Sequence, residues 1–135
     1  MSQENVEVFK RGIEAFNRGD LEAVPDMLHP EVVLHLSLPA MFGGEATVFR
    51  GHNEYRAFFE ELTEAFAEFR IEISEVRDLG ERIVGIGRLY GRGRASGAEV
   101  ESPIAYVVEY RDGKQIRVDD YFDPAEALEA AGLSE

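Results

Sequence analysis

The chain has 135 residues, 44% apolar and 30% charged, with a formal net charge of −13 and no cysteine. That length suits one domain over 1–135 with enough apolar content for a real core. So acidic a surface repels phosphate backbones and anionic lipid, which makes nucleic acid and membrane poor partners, and the missing cysteines rule out disulfide and thiolate chemistry.

The opening stretch "MSQENVEVFK" lacks the basic-then-apolar pattern of a secretory signal, and no apolar run reaches membrane-spanning length. A cytoplasmic protein is expected. Val6, Phe9, Ile13 and Phe16 recur at helical spacing and predict an amphipathic helix over residues 3 to about 18, with Ser2 as N-cap and Gly19 as stop. Asp20 can cap a second helix carrying Leu21, Val24 and Leu28. Pro25 falls awkwardly within it, so that helix should be short or irregular, and His29-Pro30 should end it.

"EVVLHLSL" alternates as a strand, with Val32, Leu34, Leu36 and Leu38 on one face. A loop follows, "PAMFGGEATVFRG", whose Met41 and Phe42 look exposed. "HNEYRAFFEELTEAFAEF" reads as the strongest helix, with Tyr55, Phe58, Phe59, Leu62, Phe66 and Phe69 in one apolar stripe. From Arg70 the period drops to two. Strands are expected near 70–78, 82–94, 99–110 and 114–122, with turns at Gly80, Ser96-Gly97 and Asp112-Gly113. Gly85, Gly87, Gly91 and Gly93 thin one face of the second of these, as sheet curvature or close packing requires. "DPAE" then starts a last helix, with Asp123 as cap, Pro124 in the first position and Glu126 three residues after the cap; Gly132 ends it.

Near the end, "VDDYFD" sets two acids on opposite faces of a strand. Asp119 shares a polar face with Gln115, Arg117 and Tyr121 and is expected to be solvated. Asp120 interrupts the apolar stripe of Ile116, Val118 and Phe122, where an uncompensated carboxylate is costly. It must be hydrogen-bonded, paired, protonated or facing a wet pocket. A three-residue loop, Arg111-Asp112-Gly113, matches the stripes best and pairs Asp120 with Ile104 and Val118 with Tyr106. Tyr106 then becomes a diagonal neighbour of the acid. A structural role, bonding to backbone or solvent near the strand end, competes with a functional one.

"AFNRGDLEAVPDMLHPEVVLHL", "FRGHNEYRAFFEEL" and "YRDGKQIRVDDYFDPAEALEAAGL" together resemble the nuclear transport factor 2-like superfamily. Within it they resemble the SnoaL-like branch related to polyketide cyclases, limonene epoxide hydrolases and ketosteroid isomerases. The resemblance implies an α+β cone: a curved, mostly antiparallel sheet packed on three helices, plus a C-terminal helix, enclosing an apolar pocket. Many relatives dimerise through the sheet's outer face, and Val33, Ala105 and Val107 suggest a similar homodimer here. "DDYFD" places Asp120 on an epoxide-hydrolase catalytic aspartate. The matching arginine falls on Arg88 only with a one-residue shift, and the second acid is then Tyr90. Leu34 and Leu36 occupy positions where relatives carry polar pocket groups.

The catalytic candidates are therefore Asp120, assisted by Tyr106 or Arg88. Burial should raise the carboxyl pKa unless Arg88 lies close enough to reverse it. Phe16, Leu34, Leu36, Phe42, Tyr55, Phe59, Ile104, Val118 and Phe122 are the candidate walls of a pocket for a small apolar molecule. No cofactor is expected. His35 points away from the apolar side of its strand, His29 and His52 read as local capping groups, and the three lack metal-ligand spacing. An acid–base enzyme, a non-catalytic binder and a structural dimer remain open as functions, because the fold hosts all three.

Overall fold

A computed structural model describes residues 2–42 and 44–133, apart from the side chains of Ser2, Gln3 and Phe42. Helix α1, Ser2–Arg18, buries Phe9 and Ala15, with Val6, Ile13 and Phe16 half-buried against the same core. The Ser2 side chain, expected to cap the helix, lies outside what is described. Gly19 ends the helix with φ +70, a left-handed stop. The second helix is indeed broken: a 3-10 turn at Leu21–Ala23 runs into α2, Val24–Met27. Pro25 then sits in the first turn, where its missing N–H costs nothing.

Leu28 was expected on that helix and instead opens strand β1, Leu28–Leu36. His29-Pro30 thus lies inside the strand rather than ending the helix. Pro30 cannot donate to a ladder, and pairing with the neighbouring strand is interrupted between Leu28 and Val33. Val32, Leu34 and Leu36 point inward and are buried, as their alternation requires. Leu38 is also buried, but on a 3-10 turn, Leu38–Phe42, rather than on the strand. The segment read as a loop carries a short strand, β2, Thr47–Arg50, antiparallel to β1. Met41, expected to be exposed, packs half-buried against the core.

Helix α3 spans Gly51–Ala65 and ends four residues before Phe69. Phe66 is extended (φ −122, ψ 132) and begins β3, Phe66–Asp78. Phe66 and Phe69 therefore leave the helical stripe for the sheet, where they lie opposite Gly93 and Gly91. Long-range pairing outweighs local periodicity there. The Arg94 guanidinium reinforces the break by donating to Thr63 O and Phe66 O, two carbonyls at the helix end. Strands β4, Arg82–Gly93, β5, Glu99–Arg111, and β6, Lys114–Tyr121, follow. The sheet order is β2-β1-β6-β5-β4-β3, antiparallel throughout except for the β1–β6 pair.

The β5–β6 hairpin differs from the expected three-residue loop. Arg111 pairs with Lys114 across a two-residue Asp112-Gly113 turn, with φ of 54 and 76, the primed geometry that suits hairpins. A bulge at Ile116 then shifts the register, because Tyr110 pairs with Gln115 but Glu109 with Arg117. Asp120 consequently lies opposite Tyr106 rather than Ile104, and Val118 opposite Val108 rather than Tyr106. The faces came out as expected while the partners moved by two residues.

The last helix, α4, Pro124–Ala130, is capped by the Asp123 side chain, which accepts from Ala125 N at 2.9 Å. It covers the outer sheet face, with Ala127 and Ala131 packed on Val84, Ala105 and Val107. Ala105 and Val107 are buried and Val33 half-buried. Ala105 and Val107, two of the three residues on which a homodimer was expected, are thus covered by the chain's own helix.

Candidate active-site cavity

Between α1, α3 and the concave side of the sheet lies a cavity of about 80 Å3. Phe16, Leu34, Leu36, Tyr55 and Val118 line it, as do both Asp120 and Tyr106. Three expected wall residues do not. Phe59 sits one helical position off, its ring in an edge contact with Phe16 at 5.6 Å, while Phe58 faces inward. Ile104 is fully buried in the core beside the cavity, and Phe122 packs half-buried beyond the end of β6. The Phe42 side chain lies outside the described residues.

Periodicity alone undervalued Phe9, Ile13 and Met27, which wall the cavity from the helical side. Gln115 also reaches it, although strand parity assigned that residue to Asp119's face; the Ile116 bulge turns it inward. In the glycine run, Gly85 makes room for α1 and Gly87 for the backbone of β3. A Cβ on Gly85 would lie 2.4 Å from the Phe9 ring, and one on Gly87 would meet the Glu72 carbonyl oxygen at 1.9 Å.

Asp120 is 3% exposed. Its Oδ1 accepts from the Ser37 amide and its Oδ2 from the Leu38 amide at 3.3 Å, where β1 turns into the 3-10 segment. Those N–H groups would otherwise be orphan donors, so the carboxyl holds this turn over the cavity. Burial nevertheless outweighs these two backbone hydrogen bonds and a further one from the Ser37 side chain, and lifts its pKa from 3.8 to about 6, with the nearby Asp119 charge adding to the rise.

The Tyr106 hydroxyl is pushed well above its ordinary pKa by burial, with further contributions from Asp120 and Tyr55. Burial likewise raises Tyr55. Both phenols stay protonated at neutral pH, and neither makes a hydrogen bond to any described residue. Asp120, Tyr106 and Tyr55 thus form a polar group in a cavity that is otherwise lined mainly by apolar side chains, and two hydrogen-bonding hydroxyls there have no partner among the described residues.

Arg88 does not line the cavity. It shares the outer face with Val84 and Ile86, is exposed, and its Nε meets Glu101 Oε2 at 3.0 Å. The register places Arg88 opposite Pro103, so the one-residue shift that would turn it inward does not occur. Nothing from Arg88 therefore opposes the rise at Asp120. Asp119 is not simply solvated either: its side chain is 16% exposed, with His35 Nδ1 and Arg117 Nε each at 3.1 Å. His35 faces outward as expected. His29 Nδ1 accepts from Glu31 N, and His52 donates to Leu28 O at 2.8 Å. Among the described residues no cluster of histidine and carboxylate side chains could hold a metal ion, and no helix is long and apolar enough to cross a membrane.

A six-stranded, mostly antiparallel sheet wrapped on helices around a cavity defines the NTF2-like α+β class. The chain belongs to the SnoaL-like domain family, whose profile matches residues 9–118. It is 30% identical over 132 residues to an uncharacterized PhzA/B-like protein of Pseudomonas aeruginosa, covering 93% of this chain and 89% of that one. An NTF2-like protein of unknown function from Burkholderia pseudomallei superposes with TM-score 0.79 at 28% identity, covering 93% and 95% of the two chains. TerC, crystallised with polyporic acid, gives 0.77 at 23% identity over 93% and 96%. A putative SnoaL-like polyketide cyclase from Jannaschia gives 0.77 at 19% over 96% and 92%, a likeness of fold alone.

Proposed function

We propose that the cavity binds a small, mainly apolar molecule carrying a carbonyl or hydroxyl oxygen, and that Asp120 and Tyr106 perform acid–base chemistry on it. The observation that carries this reading is the pair of phenols, without a hydrogen-bond partner among the described residues, beside a buried carboxyl. A ligand oxygen there would accept a hydrogen bond from Tyr106, and ionised Asp120 would take a proton from an adjacent carbon or oxygen. With its pKa at about 6, Asp120 changes protonation near neutrality, where acid–base groups work best. That relatives include a putative polyketide cyclase and a protein crystallised with polyporic acid is consistent with such a ligand.

The resting cavity sets a size limit. About 80 Å3 is roughly half the volume of an apolar cavity that admits benzene. A larger ligand must displace wall side chains, of which unbranched Met27 adapts most readily. A second reading, a binder without turnover, is favoured by the engagement of both Asp120 oxygens with backbone amides.

Cyclohexanone in deuterated water separates these readings. Exchange of its α-protons above the buffer rate, falling at least roughly tenfold in Asp120→Asn and in Tyr106→Phe, supports acid–base chemistry. Saturation transfer to the ketone without exchange supports the binder, and the absence of both signals refutes a site for oxygen-bearing apolar molecules.

A further inference from the structure

A second concave surface lies outside the cavity and shares only Phe16 with it. The C-terminal end of α1, the last turns of α3 and the start of β3 bound an open groove of about 500 Å3. Its apolar lining includes Phe16, Phe59, Phe66 and Phe69, joined by ring contacts of 5.6, 5.7 and 5.3 Å. Phe16, Phe59 and Phe69 are only half-buried, so part of this aromatic surface faces solvent. The chain's own core does not cover it.

The charge of the rim runs against that of the molecule. In a chain of net charge −13, the groove is lined by three arginines, Arg18, Arg70 and Arg94, and one acid, Glu68. Glu68 turns to Arg92 at 3.4 Å, and Arg70 is committed to Glu72 and to the Tyr90 ring. Arg94 spends Nε and Nη2 on the carbonyls of Thr63 and Phe66, which leaves its charge without a carboxylate and its Nη1 edge without a partner among the described residues. Arg18 is exposed and bonds Asp20 at 3.3 Å through Nη2 alone.

We propose that this groove is a second binding site, for a flat aromatic carboxylate whose ring lies on the phenylalanines and whose charge meets Arg18 and Arg94. A volume of this size suits a small molecule rather than a polypeptide. Aromatic side chains favour stacked or edge-on rings, and an arginine fork matches a carboxylate better than it matches a neutral oxygen. A neutral aromatic would gain only the floor.

The test uses the whole 15N-labelled chain titrated with 2-naphthoate and, separately, with neutral naphthalen-2-ylmethanol. The expected result is saturable shifts of the Thr63, Ala67 and Glu68 amides with naphthoate, while Val108 and Val118 in the cavity stay in place. The neutral alcohol should bind roughly threefold or more weakly, and added salt should weaken the naphthoate alone. Arg18→Gln and Arg94→Gln should each lower naphthoate affinity by a similar factor. Arg94 also caps α3, so if its variant fails to fold, Arg18→Gln decides, being an exposed substitution. Shifts confined to Val108 and Val118, no saturable shift at millimolar ligand, equal binding of acid and alcohol, or an unchanged affinity in Arg18→Gln would each overturn the assignment.

Discussion

Replacing Asp120 with asparagine separates the electrostatic cost of this carboxyl from its hydrogen bonds. Burial lifts its pKa from 3.8 to about 6, a difference worth about 3 kcal/mol. The sign follows from linkage. The folded state holds the proton more tightly than the unfolded chain, so the stabilisation is fully present below 3.8 and is lost as pH rises through about 6. Asparagine keeps the shape but turns an NH2 group toward one of the two amides that Asp120 accepts from. That loss costs about 1–3 kcal/mol and does not vary with pH. The variant should therefore gain on the wild type by about 2 kcal/mol between pH 4 and pH 8. For a chain of this length the gain corresponds to about 7 °C in Tm. Thermal unfolding of both proteins at the two pH values, followed by circular dichroism, measures it. The other acids titrate in both proteins and cancel in the difference. A difference that stays flat with pH, or moves in the wild type's favour, refutes a carboxyl whose burial outweighs its hydrogen bonds.

Tyr106→Phe removes a hydroxyl that no described residue uses, so stability should change by less than about 1 kcal/mol, while affinity for a ketone falls in a saturation-transfer titration. Gly87→Ala should destabilise by at least about 3 kcal/mol in urea unfolding, because its Cβ would meet the Glu72 backbone oxygen at 1.9 Å and no rotamer relieves that clash. Arg88→Gln should leave any ketone exchange unchanged and cost less than about 1 kcal/mol, since it removes only an exposed pair with Glu101; a large loss of exchange would return Arg88 to the site.

Much of the fold was legible because most of its elements obey one local rule each. Alternation placed Val32, Leu34 and Leu36 inward, and the Asp123-Pro124 pair started α4 with the cap it implied. The misreadings occur where two rules compete. Phe66 and Phe69 continue α3's helical period, yet the sheet claims them, and Gly91 across the ladder leaves space for both rings. The four residues of β2 carry too short a pattern to register, and they become a strand only because β1 offers an edge.

The site shows the same limit more sharply. Parity alone put Asp120 and Tyr106 on one inward face, and that holds whether the hairpin turns in two residues or three, provided the stripes match. Parity could not supply their pairing. A two-residue turn with a bulge and a three-residue loop without one give the same faces, with partners two residues apart. The bulge at Ile116 is what sets Asp120 directly opposite Tyr106 and carries Gln115 into the cavity. Arg88 is the converse case: a carry-over that needed a one-residue slip fails, because a slip would send Val84 and Ile86 inward along with it. Those residues face outward, Val84 fully buried in the cluster beneath α4 and Ile86 packed at its edge. A strand packed on both faces cannot slip by one residue without exchanging both sets of contacts, so the acid–arginine–acid set is unavailable to this chain. Asp120 is left with its own burial, the amides of Ser37 and Leu38, the charge of Asp119 and the two tyrosines that line the cavity with it.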